Sequence, residues 1–198
     1  FETFCLDLRA HGYSGGNEIG FGYTEVKDVI ALLDWIKAEP GYDHKKIILY
    51  GISMGGATAL NVAAEREDVD MVISVSAFKS YTDTFLDTMR REKVPELVVN
   101  LFRPSIALVL AVKYDLSFMD KSPIKNISRI TKAPILLIHG DEDDQIPVEH
   151  GVDLKQAAGD NVELWIVGGA KHMVVDDILA PGNDWYRAKL LHFIESNL

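Results

Sequence analysis

The stretch Tyr50-Gly51-Ile52-Ser53-Met54-Gly55-Gly56 decides how this chain is interpreted. The apolar run just before it has the character of a strand, and residues 57–64 after it predict a helix. A Gly-x-Ser-x-Gly turn between a strand and a helix is the setting of a nucleophile elbow, a sharp bend that presents a reactive serine. Such a bend strains the serine backbone, so its neighbours must be small enough for strand and helix to approach. The alternative is a glycine-rich turn with an incidental serine.

The composition predicts one globular domain. The chain has 198 residues, 47 % hydrophobic and 25 % charged, which is enough for a sizeable core and is typical of folded proteins. Its formal net charge of −10 argues against nucleic-acid or anionic-membrane partners, because both need a basic face. The single cysteine, Cys5, leaves no internal disulfide and fits a reducing compartment, so we expect a cytoplasmic location. The longest apolar run, Ile106 to Val112, is too short to span a bilayer.

Strands and helices are predicted to alternate along most of the chain. The predicted strands are 3–8, 47–50, 71–76, 133–139 and 161–167, and the predicted helices are 24–38, 57–66, 148–158 and 184–196. Because alternating strands and helices are joined by right-handed crossovers, this pattern predicts an α/β fold with a mostly parallel sheet flanked by helices.

The alternation breaks between about residues 79 and 119. That stretch is apolar and contains helix-like segments at Tyr81–Arg91 and Ile106–Lys113, without a strand signal. A helical interruption of this length and composition is typical of an inserted cap rather than a linker. We therefore predict a single domain over residues 1–198 with a helical cap at about 79–119; ordinary core helices are the alternative.

Three loops that follow predicted strands carry reactive side chains. They contain Ser53, the acidic group Asp141-Glu142-Asp143-Asp144, and His172. Ligands of open parallel sheets bind at the carboxyl ends of the strands, where these loops lie. A serine hydroxyl becomes nucleophilic when a histidine takes its proton, and the histidine needs a carboxylate to fix its tautomer and stabilise its charged form. The order serine, acid, histidine therefore predicts a catalytic triad.

At these residues the chain resembles the α/β-hydrolase superfamily over nearly its whole length. It is most similar to bacterial serine esterases and lipases with a helical cap, including the Bem46-like group. The resemblance is carried by Gly51-Ile52-Ser53-Met54-Gly55, by His139-Gly140-Asp141-Glu142-Asp143-Asp144-Gln145-Ile146-Pro147, and by Gly168-Gly169-Ala170-Lys171-His172. It implies an α/β-hydrolase fold with a cap insertion, and its His-Gly-x-x-Asp-x-x-Ile-Pro pattern places the acid on Asp143.

Other assignments of the polar residues stay open at this point. Asp143 can also belong to a solvated acidic loop, or the acidic cluster can bind a cation through its oxygens. Asp176 or Asp177 can orient His172 in place of Asp143. Among the remaining histidines, His139 is expected to be structural, His11 to hydrogen-bond within its own turn, and the others to occupy surface or helix positions: His44, His150 and His192.

The oxyanion hole is only half supplied by this sequence. The resemblance implies that one backbone N–H comes from Met54 and the other from a loop after the family's third strand. It also implies that Phe1–Leu8 corresponds to the family's fourth strand, so that strands one to three are missing. We therefore expect either a fragment of a longer hydrolase or a truncated chain that rearranges its sheet or completes it as a homo-oligomer. In both cases weak activity is expected.

The sequence thus predicts a serine hydrolase that cleaves short- to medium-chain carboxylic esters through an acyl-enzyme. Ser53 is the predicted nucleophile, His172 the base and then the acid, and Asp143 its orienting partner. No metal or organic cofactor is required, and the expected partner is a small-molecule ester. The apolar cap residues predict an acyl or aromatic pocket: Leu97, Leu101, Phe102, Leu108 and Leu110. The alternatives are a thioesterase, amidase or peptidase with the same triad, and a catalytically silent binding domain.

Overall fold

The structure, a computed structural model, describes residues 1–114 and 121–198. In chain order its elements are α1 (Glu25–Ala38), β1 (Ile48–Ile52), α2 (Met54–Glu65), β2 (Met71–Val75), α3 (Tyr81–Arg91), α4 (Glu96–Tyr114), α5 (Pro123–Asn126) with a following 3₁₀ turn (Ile127–Arg129), β3 (Ile135–Gly140), α6 (Glu149–Ala157), β4 (Val162–Val167) and α7 (Asp184–Asn197).

The four strands form one parallel sheet in the order β1-β2-β3-β4. Every residue of β2 and β3 is buried, as expected for central parallel strands that are covered on both faces. The prediction of a parallel sheet flanked by helices is therefore confirmed. Since the strands run in the same direction, the loops after β1, β3 and β4 all leave the sheet at its carboxyl edge.

Alternating residues of the strands build two separate cores. On one face Val72 and Ile135 pack with Leu60 of α2. On the other face Met71 and Ile73 pack with residues of α7, including Tyr186 and Phe193. This division follows from the two-residue period of a strand, which sends successive side chains to opposite faces. The sheet is thus held rigidly from both sides beneath its carboxyl edge.

The predicted strand at residues 3–8 is wrong. Residues 1–8 have no regular secondary structure, residues 1–7 are exposed, and the segment pairs with none of the four strands. Side chains fix the turn that follows: Asp7 Oδ2 accepts the Tyr13 N–H at 3.0 Å, and Arg9 forms a 2.6 Å ion pair with Asp28. A β-rich composition produces a strand only where a neighbouring strand completes the hydrogen-bond ladder, and here that partner is lacking.

Two long helices lie between β2 and β3, in the segment for which a cap was predicted. The predicted helix 81–91 coincides with α3, whose N-cap Ser80 accepts the Asp83 N–H at 3.1 Å. The predicted helix 106–113 is the second half of α4, which begins ten residues earlier. Residues 115–119 of the predicted cap lie outside the described residues.

The predicted acyl pocket of the cap is wrong for four of its five residues. Leu110 is buried, but Leu97, Leu101, Phe102 and Leu108 are 48–83 % exposed. The spacing of apolar residues along α4 indicates an apolar stripe but does not say what covers it. In the structure one side of α4 packs inward, and these four residues lie on the outer side.

Candidate active site

Ser53 occupies a sharp bend between β1 and α2. Its φ of 55° and ψ of −117° are strained values for a residue with a side chain. Its N–H donates to the carbonyl of Val75 in the neighbouring strand at 2.8 Å, which fixes the bend against β2. A Cβ on Gly51 would overlap the Gly55 carbonyl, and a Cβ on Gly56 would lie 2.8 Å from Ser74 Oγ. The bend therefore requires glycine at position 51, where the overlap is with backbone; at position 56 a Cβ would displace the Ser74 hydroxyl, and Gly55 has open space where a Cβ would be.

The first turn of α2 directs free backbone donors to the region of Ser53. The first backbone bond of this turn runs from the Ala57 N–H to the Ser53 carbonyl, at 3.0 Å. The N–H groups of Met54, Gly55 and Gly56 therefore have no acceptor within the helix, as at every helix start. They lie at the positive end of the helix dipole, which favours negative charge. The Met54 N–H is the donor predicted from the sequence.

Asp143 lies in the loop after β3, and its side chain is fully buried. Its Oδ1 accepts the N–H groups of Gln145 and Ile146, both at 2.9 Å. Burial by itself raises the pKa of Asp143, but hydrogen bonds from His139, His172 and these two amides outweigh it. The pKa of Asp143 is consequently held well below its usual range, and the carboxylate is charged at neutral pH.

His172 lies in the loop after β4, against Asp143. Its Nδ1 is 2.8 Å from Asp143 Oδ2 and 3.0 Å from Oδ1. Because the carboxylate only accepts hydrogen bonds, Nδ1 carries the proton and Nε2 is left free to act as a base. The loop after β4, which carries His172, is close to the loop after β3, which carries Asp143. The Glu142 N–H donates to the Ala170 carbonyl at 3.0 Å, and a Cβ on Gly140 would be 2.7 Å from the Lys171 carbonyl.

The structure brings together two of the three predicted triad side chains. Asp143 and His172 are directly bonded, whereas no hydrogen bond joins Ser53 to His172 anywhere in residues 1–114 and 121–198. Catalytic hydrogen bonds are often long in ligand-free sites and tighten around the substrate. The alternative orienting residue Asp177 instead accepts the Leu179 N–H at 2.8 Å. The acid that faces His172 is therefore Asp143.

His139 contacts the same carboxylate, which sequence reasoning missed. It is buried, as expected, and its Nε2 lies 2.9 Å from the Ile146 carbonyl and 3.4 Å from Asp143 Oδ2. The sequence did contain a signal for this contact. His139 ends a buried strand and stands four residues before Asp143, so its side chain can reach the turn that follows the strand. His139 thus braces the loop that holds Asp143.

His150 was predicted at a surface or helix position, and the surface alternative is wrong. It lies in α6 but is 2 % exposed. Its Nδ1 accepts the Lys79 N–H at 3.0 Å, and its Nε2 donates to Asp87 of α3 at 2.7 Å. His150 therefore ties α3 to α6. The prediction for His11 is met, since its Nδ1 lies 2.8 Å from the Arg9 carbonyl in the same turn.

Two clefts of about 560 and 320 Å³ open between α3, α4 and α6. They share Lys79, Asp83 and Arg103, and neither is lined by the predicted triad. Their charges pair internally, with Lys79 2.5 Å from Asp153 and Arg103 2.8 Å from Asp83. In the part of the chain that the structure describes, no group of three or more His, Cys, Asp or Glu side chains is arranged to hold a metal ion, which includes the acidic loop.

Known proteins resemble this chain over most of its length. A sequence profile of the prolyl oligopeptidase family matches residues 20–198. The uncharacterized protein YfhR of Escherichia coli K12 is 28 % identical over 200 residues, which are 100 % of this chain and 62 % of YfhR. The alpha/beta hydrolase domain-containing protein WAV2 of Arabidopsis thaliana is 28 % identical over 201 residues, 98 % of this chain and 60 % of WAV2.

A solved structure extends the likeness to three dimensions. The esterase Pf2001 of Pyrococcus furiosus superposes with a TM-score of 0.68 at 25 % identity, over 96 % of this chain and 68 % of the esterase. The predicted fold class is thus confirmed. The chain spans about three fifths of the length of the curated relatives YfhR and WAV2.

Proposed function

The chain belongs to the prolyl oligopeptidase family, within the α/β-hydrolase superfamily, and from this membership and the geometry of its loops we propose that it is a serine hydrolase of carboxylic esters. The observation that carries the proposal is the buried, charged Asp143 bonded to Nδ1 of His172, at the same sheet edge as the strained bend of Ser53. A carboxylate in this position fixes the histidine tautomer that a serine nucleophile requires.

In the proposed reaction Ser53 Oγ attacks the ester carbonyl while Nε2 of His172 takes its proton. Asp143 stabilises the resulting imidazolium, and the Met54 N–H donates to the oxygen that becomes negatively charged. The bond between the carbonyl carbon and the leaving-group oxygen then breaks while the imidazolium gives its proton to that oxygen, so that an alcohol departs and the acyl group stays on Ser53 Oγ. In the second half a water molecule gives a proton to Nε2 of His172 and attacks the acyl carbonyl; the bond to Ser53 Oγ then breaks, Oγ takes the proton back from His172, and the carboxylic acid is released.

Esters are proposed as the first substrate class because the superposed Pf2001 protein is an esterase. Short- to medium-chain acyl groups remain the first to test. A second candidate is hydrolysis of amide or peptide bonds by the same residues, which is favoured by the family match over residues 20–198. The two candidates share every protein step and differ only in the leaving group.

The test is hydrolysis of p-nitrophenyl acetate, butyrate and octanoate beside a panel of aminoacyl p-nitroanilides. We expect ester turnover that falls at least about 10³-fold in Ser53→Ala. Ser74→Ala is the matched control, because this buried serine lies beside the same bend and its hydroxyl has no partner in the described part of the chain. Turnover that is equal in the wild type and Ser53→Ala would refute the proposal; turnover of anilides alone would select the second candidate.

A further inference from the structure

Arg91, the last residue of α3, directs its guanidinium to main-chain oxygens of the loop that carries Asp143. Its Nη1 donates to the Asp144 carbonyl at 2.7 Å and lies 3.4 Å from the Gln145 carbonyl. In the part of the chain that the structure describes, Arg91 forms no ion pair with a carboxylate, and its Nη2 bonds a threonine hydroxyl of its own helix. The charge of Arg91 is thus directed to these carbonyl oxygens.

The two carbonyls belong to the same peptide groups whose N–H groups hold the acid. The peptide group after Asp144 carries the Gln145 N–H, and the next one carries the Ile146 N–H. Both N–H groups donate to Asp143 Oδ1 at 2.9 Å. A trans peptide group is planar, and its C=O and N–H point in opposite directions. Each of these two groups therefore has Arg91 at its oxygen and Asp143 at its nitrogen.

This arrangement favours a single orientation of both peptide groups. A peptide group carries a dipole of about 3.5 D, with the oxygen as its negative end. A cation at the oxygen and an anion at the N–H stabilise that dipole from both sides. Hydrogen bonds in such a chain also polarise one another, by roughly 10–30 % per bond. The amides consequently donate more strongly to Asp143 while Arg91 is in place.

The orientation of Asp143 depends on these amides. Because they fix Oδ1, they set the rotation of the carboxylate and hence the position of Oδ2, which is 2.8 Å from Nδ1 of His172. Asp144 and Gln145 are exposed, and among residues 1–114 and 121–198 no other group donates to their carbonyls. Removal of the guanidinium would leave both oxygens to water, which imposes no orientation on the peptide groups.

We propose that Arg91 is a positioning residue for the acid of the triad: it holds the two peptide groups that orient Asp143 and, through Asp143, the ring of His172. The inference rests on the proposed function, in which Asp143 fixes the histidine tautomer. Arg91 lies 53 positions before Asp144 in the chain, so no short motif identifies it. It links the position of α3 to the geometry of the site.

The kinetic test is Arg91→Met, which keeps an aliphatic side chain and removes every donor. We expect kcat for p-nitrophenyl butyrate to fall about tenfold, the low end for a hydrogen bond from a charged group. KM should change by less than about twofold, because Arg91 acts on the acid and not on the bound ester. Arg91→Lys keeps a charged donor and should recover part of the loss.

The matched control is Arg90→Met, one residue earlier on the same helix. Arg90 pairs with Asp87 and Glu96 and not with the acid loop. It therefore reports what a weakened end of α3 does by itself. We expect its kcat to stay within about twofold of the wild type.

A double-mutant cycle and a spectroscopic signal separate positioning from a general loosening of the fold. Because Arg91 acts through Asp143, Arg91→Met should add less than about twofold to the loss of kcat in Asp143→Asn. The Nδ1 proton of His172, bonded to Asp143, is followed as a low-field proton NMR signal and assigned by its loss in His172→Gln. We expect this signal to move upfield and broaden in Arg91→Met and to be unchanged in Arg90→Met.

Circular dichroism and urea unfolding establish that the variants are folded. The inference is overturned if Arg91→Met keeps the wild-type NMR signal, if it lowers kcat by the same factor with and without Asp143→Asn, or if Arg90→Met has the same effects. A wild type without ester turnover would refute the proposed function, and the NMR comparison would still test the role of Arg91.

Discussion

Gly51 makes the bend at Ser53 sterically possible, whereas Gly55 in the same motif has open space where a Cβ would be. A Cβ on Gly51 would overlap the Gly55 carbonyl, so we expect Gly51→Ala to lower the free energy of unfolding by about 2–3 kcal/mol. Gly55 has open space around the same position, and Gly55→Ala should change stability by no more than about 1 kcal/mol. Urea unfolding measures both. Equal effects of the two substitutions would show that the close contact between Gly51 and the Gly55 backbone does not determine the bend.

The orienting role of Asp143 is tested by removing its charge but not its shape. In Asp143→Asn the amide can donate to Nδ1 of His172, which favours the tautomer with its proton on Nε2. Nucleophilic attack by Ser53 then loses its base, and we expect kcat for p-nitrophenyl esters to fall roughly 10³–10⁴-fold. Asp144→Asn is the matched control, since Asp144 is the exposed neighbour. A full effect at Asp144 and none at Asp143 would move the acid to the adjacent residue.

The low pKa of Asp143 also links stability to pH. Burial raises the pKa of Asp143, but hydrogen bonds from two histidines and two amides lower it by more than burial raises it. The pKa is therefore lower in the folded than in the unfolded chain. Such a group stabilises the fold above the unfolded pKa, and its contribution is lost as the pH falls through the folded one. The difference in unfolding free energy between wild type and Asp143→Asn should therefore be largest above about pH 5 and shrink below about pH 4. A difference that grows on acidification in urea titrations would contradict this.

Sequence alone predicted Ser53, Asp143 and His172 because each stands in a short pattern that dictates its own backbone setting. It could not predict the burial of His150, since the groups that enclose it come from distant parts of the chain. Lys79 lies 71 residues away and Asp87 lies 63 residues away, and only the tertiary fold brings them together. A short sequence pattern can therefore suggest a residue's local backbone setting, but it cannot predict burial by distant parts of the chain.

At the scale of elements, α3 is attached to the body by a buried histidine. His150→Leu removes the acceptor of the Lys79 N–H and the donor to Asp87, and an unpaired buried group costs about 1–3 kcal/mol. We expect the amides of α3 to exchange hydrogen faster in this variant, as measured by mass spectrometry of its peptides. His192→Leu, at an exposed position of α7, is the control and should leave α3 unchanged. Unaltered exchange in α3 of His150→Leu would show that other contacts hold this helix.

Sequence patterns predicted some strands well and one wrongly. The strands at 71–75 and 135–140 were predicted within two residues, because a short apolar run rich in β-branched residues between turns is typical of a buried strand. Residues 3–8 have the same composition and form no strand, because a strand depends on a neighbouring strand as well as on its own residues. The stripe of α4 was visible as periodicity, but whether it faces protein or solvent is a property of the assembled fold.

At the scale of the whole molecule, a parallel sheet packed on both faces presents the strained bend of Ser53, the buried carboxylate of Asp143 and the ring of His172 at one edge. The alternation of strands and helices predicted this architecture, and the family match over residues 20–198 agrees with it. The second oxyanion donor stays a prediction, which the resemblance places in a loop after the family's third strand. The chain spans 62 % of YfhR, so the proposals concern this domain and the sites within it.

The central claim is that Ser53 is an activated nucleophile, and covalent labelling tests it most directly. The chain is treated with a fluorophosphonate, digested, and the modified residue is located by mass spectrometry. The proposed mechanism predicts one adduct on Ser53, absent from Ser53→Ala and formed far more slowly in Asp143→Asn. An unlabelled Ser53 in the folded wild type, or an adduct on another serine that forms equally in Ser53→Ala, would contradict it.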